Sequence, residues 1–239
     1  MVKIFESIEI WNGATPFAAG TINAKAFKKW LSLLEDGKRL TATTGSDTHN
    51  IYGDDYFGMT EWLDWLMDIV MKHPEIYPVQ MNENVAYLTW LYKKVWPRLL
   101  AWVEQSNTPS TIHNYVYTNG KNQPQEILQA IREGHSFISN GPLITAEING
   151  VSYGDTATLK DNTGKLSVHV FSKKPINHLW MYTGVDKKVE ICTESGSLEG
   201  GFAYDIVTDE FDFGGASWAL FVADGGENNL AISNPILFA

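Results

Sequence analysis

Cysteine is almost missing: Cys192 is the only one in 239 residues, which excludes an intrachain disulfide and a thiolate metal cluster. Basic residues are scarce too. Eighteen Lys and Arg face 28 Asp and Glu, a net charge of −10, and a protein that grips a phosphate backbone needs the opposite balance, clustered. No apolar run approaches the ~20 residues that span a bilayer. A cleavable signal segment is not visible either, because Met1-Val2-Lys3-Ile4-Phe5-Glu6-Ser7 runs straight into a strand-like pattern with a charge inside it. A Gly-x-Ser-x-Gly elbow, a Walker loop and a Gly-x-Gly-x-x-Gly fingerprint are all absent, and Cys192 has no motif around it that would make it a nucleophile. These absences point to a cytoplasmic chain without nucleic-acid or membrane partners, although a longer parent would leave room for a targeting segment upstream.

What is present is core-forming material. Hydrophobic residues make up 44% of the chain and aromatics 13%, enough for one large domain or two modest ones. Three stretches differ in pattern. Residues 1–58 begin strand, helix, strand: Ser7-Ile8-Glu9-Ile10-Trp11 is β-rich and alternating, and Phe27, Trp30, Leu31 and Leu34 recur at helical spacing between about Asn23 and Asp36. Gly37 supplies the stop, and Leu40-Thr41-Ala42-Thr43-Thr44 is again β-prone. Residues 59–107 read as helical and Trp-rich, with Trp62, Trp65, Trp90, Trp96 and Trp102; Thr60 can cap the first helix and Pro97 interrupts the second. This stretch is either a lid or groove for an apolar partner, or a hairpin packing its apolar stripe on its neighbour.

Residues 108–239 are mostly β. Thr111–Thr118 alternates, Pro124 opens a short helix that Gly134 ends, and β-prone segments follow at 136–139, 143–148, 166–171, 178–182, 188–193, 217–223 and 231–238. Asn149-Gly150 is a strong hairpin signal, since both central positions of that turn need positive φ. The expected fold class is therefore α/β plus all-β: a strand–helix–strand unit, a helical insertion and an antiparallel β-sandwich-like region.

The residues that suggest chemistry are Gly45-Ser46-Asp47-Thr48-His49. Side chains two apart on an extended segment share a side, so Asp47 and His49 can converge on one ion, and a carboxylate with an imidazole suits Zn²⁺, Mn²⁺ or Fe. The competing reading is an Asp-Thr turn beside an exposed His. Glu9 and Asn12, on the earlier strand, either orient ligands or water from a second layer, or face solvent and close a turn.

The ordered set Ile8-Glu9-Ile10-Trp11-Asn12-Gly13, a helix, Gly45-Ser46-Asp47-Thr48-His49, then Asn114-Tyr115-Val116-Tyr117, the run Glu126–Pro142 and Ala231-Ile232-Ser233-Asn234-Pro235-Ile236 resembles the C-terminal part of a polymerase-and-histidinol-phosphatase (PHP) metallohydrolase. Within that family it is most similar to the carbaryl-hydrolase-like subgroup. The resemblance implies the last strand–helix–strand of a distorted (β/α) barrel, with 59–107 as an insertion. It implies divalent ions at the strand ends that activate water for hydrolysis of phosphoesters or related esters and amides. It assigns Asp47 and His49 as metal ligands. The family's early His-x-His pair and its mid-barrel Glu and His ligands have no counterpart here, so the resemblance also implies that the metal site is complete only with the missing N-terminal barrel strands.

Among other histidines, His113 and His135 lie at the edges of β segments and read as surface or packed residues. His73 precedes Pro74 at a helix end, and His169 and His178 sit on strands without a partner motif. Two functional classes stand: a metal-dependent hydrolase acting on a small molecule, or a truncated module with a structural or partner-binding role. Two barrel strands alone expose edges along residues 4–12 and 40–45, so the chain is expected to form a homo-oligomer or to pair with an N-terminal half.

Overall fold

Ser7–Asn12 (β1) and Thr41–Gly45 (β2) are extended and pair in parallel in the computed structural model of the protein. Ile22–Glu35 (α1) connects them. The structure describes residues 6–13, 17–45, 112–118, 120, 122–192, 196–198, 200–226 and 229–239. By contacts the chain divides into one unit of Met1–Gly45 with Ile112–Ala239 and a second of Ser46–Thr111. The expected Trp-rich helical stretch at 59–107 lies outside the described residues.

α1 forms where the apolar spacing places it. Thr21 takes the N-cap position, and its Oγ1 accepts from the Ala24 N–H at 3.3 Å, which satisfies one orphan donor of the first turn. Phe27, Trp30, Leu31 and Leu34 share one buried face. Trp30 is fully buried, and its indole N–H donates to the Leu40 carbonyl at 2.9 Å, so the polar tip of the largest side chain keeps a partner.

The remaining described strands build two larger sheets. One has eight strands and carries the path Lys188–Cys192 (β10), His178–Tyr182 (β9), Trp218–Asp224 (β13), Leu230–Ser233 (β14), Ser136–Ser139 (β4) and His113–Val116 (β3). Ile236–Phe238 (β15) and Thr156–Ala157 (β7) join it beside β13. The other sheet runs Gly196–Leu198 (β11), Gly201–Asp212 (β12), Thr163–Ser172 (β8), Leu143–Ile148 (β5), Val151–Ser152 (β6). Pro124–Glu133 (α2) precedes β4. Apart from β15 with β7, the pairs in both sheets are antiparallel.

The eight-stranded sheet is the middle layer. On one face Phe137, Leu179, Met181, Phe221 and Ala231 pack against Ile144, Ile148, Leu166, Val168 and Val170 of the five-stranded sheet, which makes a β-sandwich core. On the other face Ile138, Trp218, Leu220, Val222 and Ile232 pack against Ile10, Trp11, Phe27, Trp30 and Leu31 of the β1–α1–β2 layer. Covered on both sides, β13 is buried from Trp218 through Ala223. That explains its unbroken apolar run, where a half-exposed strand such as β5 alternates strictly.

Local expectations hold at the Asn149-Gly150 turn, where φ is +53° and +76° and Ile148 pairs with Val151. Two differ. The single segment expected over 231–238 is two strands, because Asn234-Pro235 breaks it: Pro235 has no N–H for a ladder, and the Asn234 side chain is committed elsewhere. The twelve-residue β12 escaped notice because its C-terminal half is mostly exposed and polar, so apolar alternation does not announce it. Among the described residues no helix is long and apolar enough to cross a membrane.

The outer edge of β2 was expected to lie open. Instead Asn234 spans it: Oδ1 accepts from the Ala42 N–H at 2.7 Å and Nδ2 donates to the Ala42 carbonyl at 3.3 Å. The same Nδ2 reaches the Ser136 carbonyl at 2.9 Å and its Oγ at 3.0 Å. Asn234 is fully buried, so its removal leaves the Ala42 N–H and carbonyl without partners or water, while the Ser136 carbonyl keeps the Asn234 backbone N–H. Asn234→Ala should lower unfolding free energy by about 2–4 kcal/mol, at roughly 1–3 kcal/mol per orphaned group. Urea unfolding checks this; a loss under about 1 kcal/mol would contradict the assignment.

Tyr153 is buried against the sandwich core and stacks edge-on to Phe137. Burial, with a smaller contribution from Tyr117, pushes its hydroxyl up from 10.0 to about 12. The folded state therefore holds the proton longer than the unfolded chain does. The associated stability is whole below pH 10 and falls as pH rises from 10 to 12, by up to about 1.4 kcal/mol per unit. Between pH 9.5 and 11.5 the wild type should lose roughly 2 kcal/mol more than Tyr153→Phe in urea titrations; equal slopes would show that Tyr153 ionises freely.

Candidate functional site at the C-terminal ends of β1 and β2

Parallel pairing brings the C-terminal ends of β1 and β2 to one level. Ser7 faces Thr41, Glu9 faces Thr43 and Asn12 faces Gly45. The Gly13 N–H then donates to the Gly45 carbonyl at 2.8 Å, which closes the ladder. The register shifts between Glu9 and Trp11, and this bulge sends both Ile10 and Trp11 into the core although they are neighbours in sequence. Gly45 is the residue from which Ser46-Asp47-Thr48-His49 continues. Asp47 and His49 themselves lie outside the described residues.

Three asparagines hold this end in place. Asn23, in the first turn of α1 and 1% exposed, grips the backbone of Asn12: its Oδ1 accepts from the Asn12 N–H at 2.9 Å and its Nδ2 donates to the Asn12 carbonyl at 3.0 Å. Asn114, on β3, does the same for Thr44, accepting from its N–H at 3.0 Å and donating to its carbonyl at 2.7 Å. Asn234 grips Ala42 two residues earlier. A primary amide presents one acceptor and two donors side by side, so it can stand where the backbone of another strand would. The Thr44 hydroxyl adds a short bond to the Trp11 carbonyl across the pair.

Of the proposed supporting residues, Glu9 is exposed and lies mid-strand opposite Thr43. Asn12 is half-buried at the strand end, and its backbone is the part that Asn23 engages. His113 does not share a face with Asn114: it neighbours Tyr115, ring centroids 6.0 Å apart, and Tyr115 stacks on Phe137 of the sandwich core. His135 lies near the other end of β2. It follows Gly134, whose surroundings include Thr41, and its ring nitrogens meet Asp155 at 3.1 Å and Glu133 at 3.5 Å. His169 and His178 are also paired, with Asp205 and Glu190 respectively, each at 2.6 Å across neighbouring strands. His73 and the Cys192 side chain lie outside the described set.

Among the described residues no group of three or more His, Cys, Asp or Glu side chains is disposed to hold a metal ion. The described residues supply the clamped ends of β1 and β2 up to Gly45. Sequence reasoning assigned no role to Asn23, Asn114 or Asn234. The available signal was an amide residue at positions that fold into the core, where a polar side chain persists only with partners.

Comparison of the chain with protein-family models, with curated proteins and with solved structures finds no match.

The clamp at Asn114 has a local readout. Asn114→Ala should speed amide exchange at Thr44 by at least tenfold while leaving Ala42 within about twofold, because the Ala42 amide belongs to Asn234. Asn234→Ala should do the reverse. Exchange followed residue by residue by NMR tests this, and equal acceleration at both amides would mean that the edge opens as one piece.

Proposed function

We propose that this chain carries the closing strand–helix–strand of a PHP-type (β/α) barrel and supplies Asp47 and His49 as ligands to a divalent-metal hydrolase site. The observation that supports this reading best is the parallel register of β1 and β2, which ends both strands at Asn12 and Gly45 directly before the motif. In parallel α/β architectures, chemistry gathers at the C-terminal ends of strands, and the motif's donors follow within four residues of such an end.

The donor set fits the ion class: a carboxylate and an imidazole two residues apart suit Zn²⁺, Mn²⁺ or Fe. When bound, such an ion supplies Lewis acidity for hydrolysis of a phosphoester or a related ester or amide. This chain's own contribution is to orient two ligands. Asn23, Asn114 and Asn234 hold the backbone from which the ligands extend, and ligand placement within about 0.5 Å separates a working metal site from a loose one. A complete site needs at least a third protein ligand, and the proposal places the further barrel strands that would bring it along β1. The Asn-clamped edge of β2 is not the side on which they add.

Equilibrium dialysis with Zn²⁺ or Mn²⁺ followed by elemental analysis tests this reading. The chain alone should hold metal weakly, well below one equivalent after chelator treatment, and Asp47→Ala or His49→Ala should each weaken that binding by at least tenfold. Phosphoester hydrolysis by the chain alone should not exceed that of the double variant. Metal retention unchanged in both single variants would remove Asp47 and His49 from the site.

A further inference from the structure

The Asn149-Gly150 turn has a chemical property that its role in the hairpin does not use. A glycine after an asparagine leaves the approach of its own backbone nitrogen to the asparagine Cγ unhindered, because it carries no Cβ. When the segment is open, the Gly150 nitrogen gives its proton to hydroxide and attacks Cγ. A C–N bond forms, Nδ2 takes up a proton and leaves as ammonia, and a five-membered imide results. Water then opens the imide at either carbonyl. The product is an aspartate, or an isoaspartate in which the main chain runs through the side-chain carbon. No other reactant is needed.

The sequence has four Asn-Gly steps, at 12–13, 119–120, 140–141 and 149–150, and Asn119 lies outside the described residues. The fold treats the other three differently. The Gly13 N–H donates to the Gly45 carbonyl at 2.8 Å, and the backbone of Asn12 is gripped by the buried Asn23. The Gly141 N–H donates at 2.9 Å to the Oγ of fully buried Ser139, while Asn140 Oδ1 accepts from the Leu230 N–H at 2.8 Å. At both steps the attacking nitrogen is a committed donor, and freeing it means parting β1 from β2 or Asn140 from Leu230. The Gly150 N–H has no hydrogen-bond partner among the described residues, and both residues of its turn are exposed. The turn leads into β6, two residues at the edge of its sheet. Such a tip opens at small cost compared with the core.

What holds Asn149 is its side chain. Oδ1 accepts from the Lys165 N–H at 2.7 Å and Nδ2 donates to the Thr158 carbonyl at 2.8 Å. Gly164 leaves room for this, since a Cβ there would lie 3.0 Å from Nδ2. We propose that Asn149 is the modification site among the described Asn-Gly steps: it deamidates when the turn opens, and the product then hinders the turn from closing as before. A carboxylate only accepts hydrogen bonds, so its second oxygen meets the Thr158 carbonyl with no proton between them. An isoaspartate adds a main-chain atom to a two-residue turn whose length sets the strand register. The site shares no residue with the metal motif and does not depend on the hydrolase reading.

Incubation of the full chain near pH 8 and 37 °C, followed over time by peptide mapping with mass spectrometry, tests this. Conversion at Asn149, read as a gain of about one mass unit, should run roughly fivefold or more faster than at Asn12 and Asn140. In guanidinium chloride that unfolds the chain, Asn149 should react faster than when folded, and the three steps should agree within about threefold. Chain converted at Asn149, separated by its added negative charge, should melt several degrees below the parent. Asn149→Asp, which carries the new charge on an unaltered main chain, should show part of that fall. A folded-state rate at Asn149 no higher than at Asn12 or Asn140, or a lead for Asn149 that persists in guanidinium, would overturn the proposal. So would coincident melting of the converted and unconverted chains.

Discussion

The described fold depends on how the outer edge of β2 is closed. A strand inside a protein must place its N–H and C=O groups on partners. Towards β1, the groups of Thr41, Thr43 and Gly45 find them in the parallel ladder. On the opposite edge, Ala42 meets the amide of Asn234 and Thr44 meets that of Asn114. Each amide donates and accepts at once, so two side chains stand in for a strand. The clamp also joins regions far apart in sequence: Asn114 comes from β3, while Asn234 follows β14 and reaches Ser136 of β4 as well. The β1–α1–β2 layer is thereby locked to the middle sheet by directional bonds, in addition to the shared apolar core around Trp30 and Trp218.

Apolar burial and polar clamping do different work here. Burial of Ile10, Trp11, Phe27, Trp30 and Leu31 against the middle sheet drives the layers together, but it is non-directional and tolerates small slides. Paired amide bonds tolerate them less, most of all the fully buried pair between Asn234 and Ala42, because a shift of an ångström or two strands a donor away from water. The asparagines therefore set the height at which β1 and β2 end, while the core sets how strongly they are held.

Much of this was legible beforehand, and the limits have physical causes. α1 was readable from Phe27, Trp30, Leu31 and Leu34, and the hairpin at Asn149-Gly150 from backbone chemistry, since both signals are local. The sandwich was readable from short alternating strands such as β5. The doubly covered β13 was placed as a strand, but its second packing partner was not foreseeable from a run of apolar residues alone. The clamp was invisible for a different reason. Asn114 and Thr44 are 70 residues apart, and Asn234 and Ala42 are 192 apart, and single-sequence patterning carries no information at that range. Two isolated strands would leave an open edge along 40–45; here the side chains of Asn234 and Asn114 close it. Proximity in sequence to the motif points to Glu9 and Asn12, and the structure adds that Asn12 is held through its backbone by Asn23.

The proposed Asp47–His49 metal site has one direct consequence: a bound divalent ion lies within a few residues of Gly45. Mn²⁺ is paramagnetic and belongs to the proposed ion class, so its position can be read from the amide resonances that it broadens. With Mn²⁺ well below one equivalent, the signals of Asn12, Gly13 and Gly45 should broaden first and most, and they should stay sharp in the Asp47→Ala/His49→Ala variant. Broadening centred instead on surface carboxylates such as Asp205 and Asp209 of β12, or persisting at Gly45 without Asp47 and His49, would contradict the account.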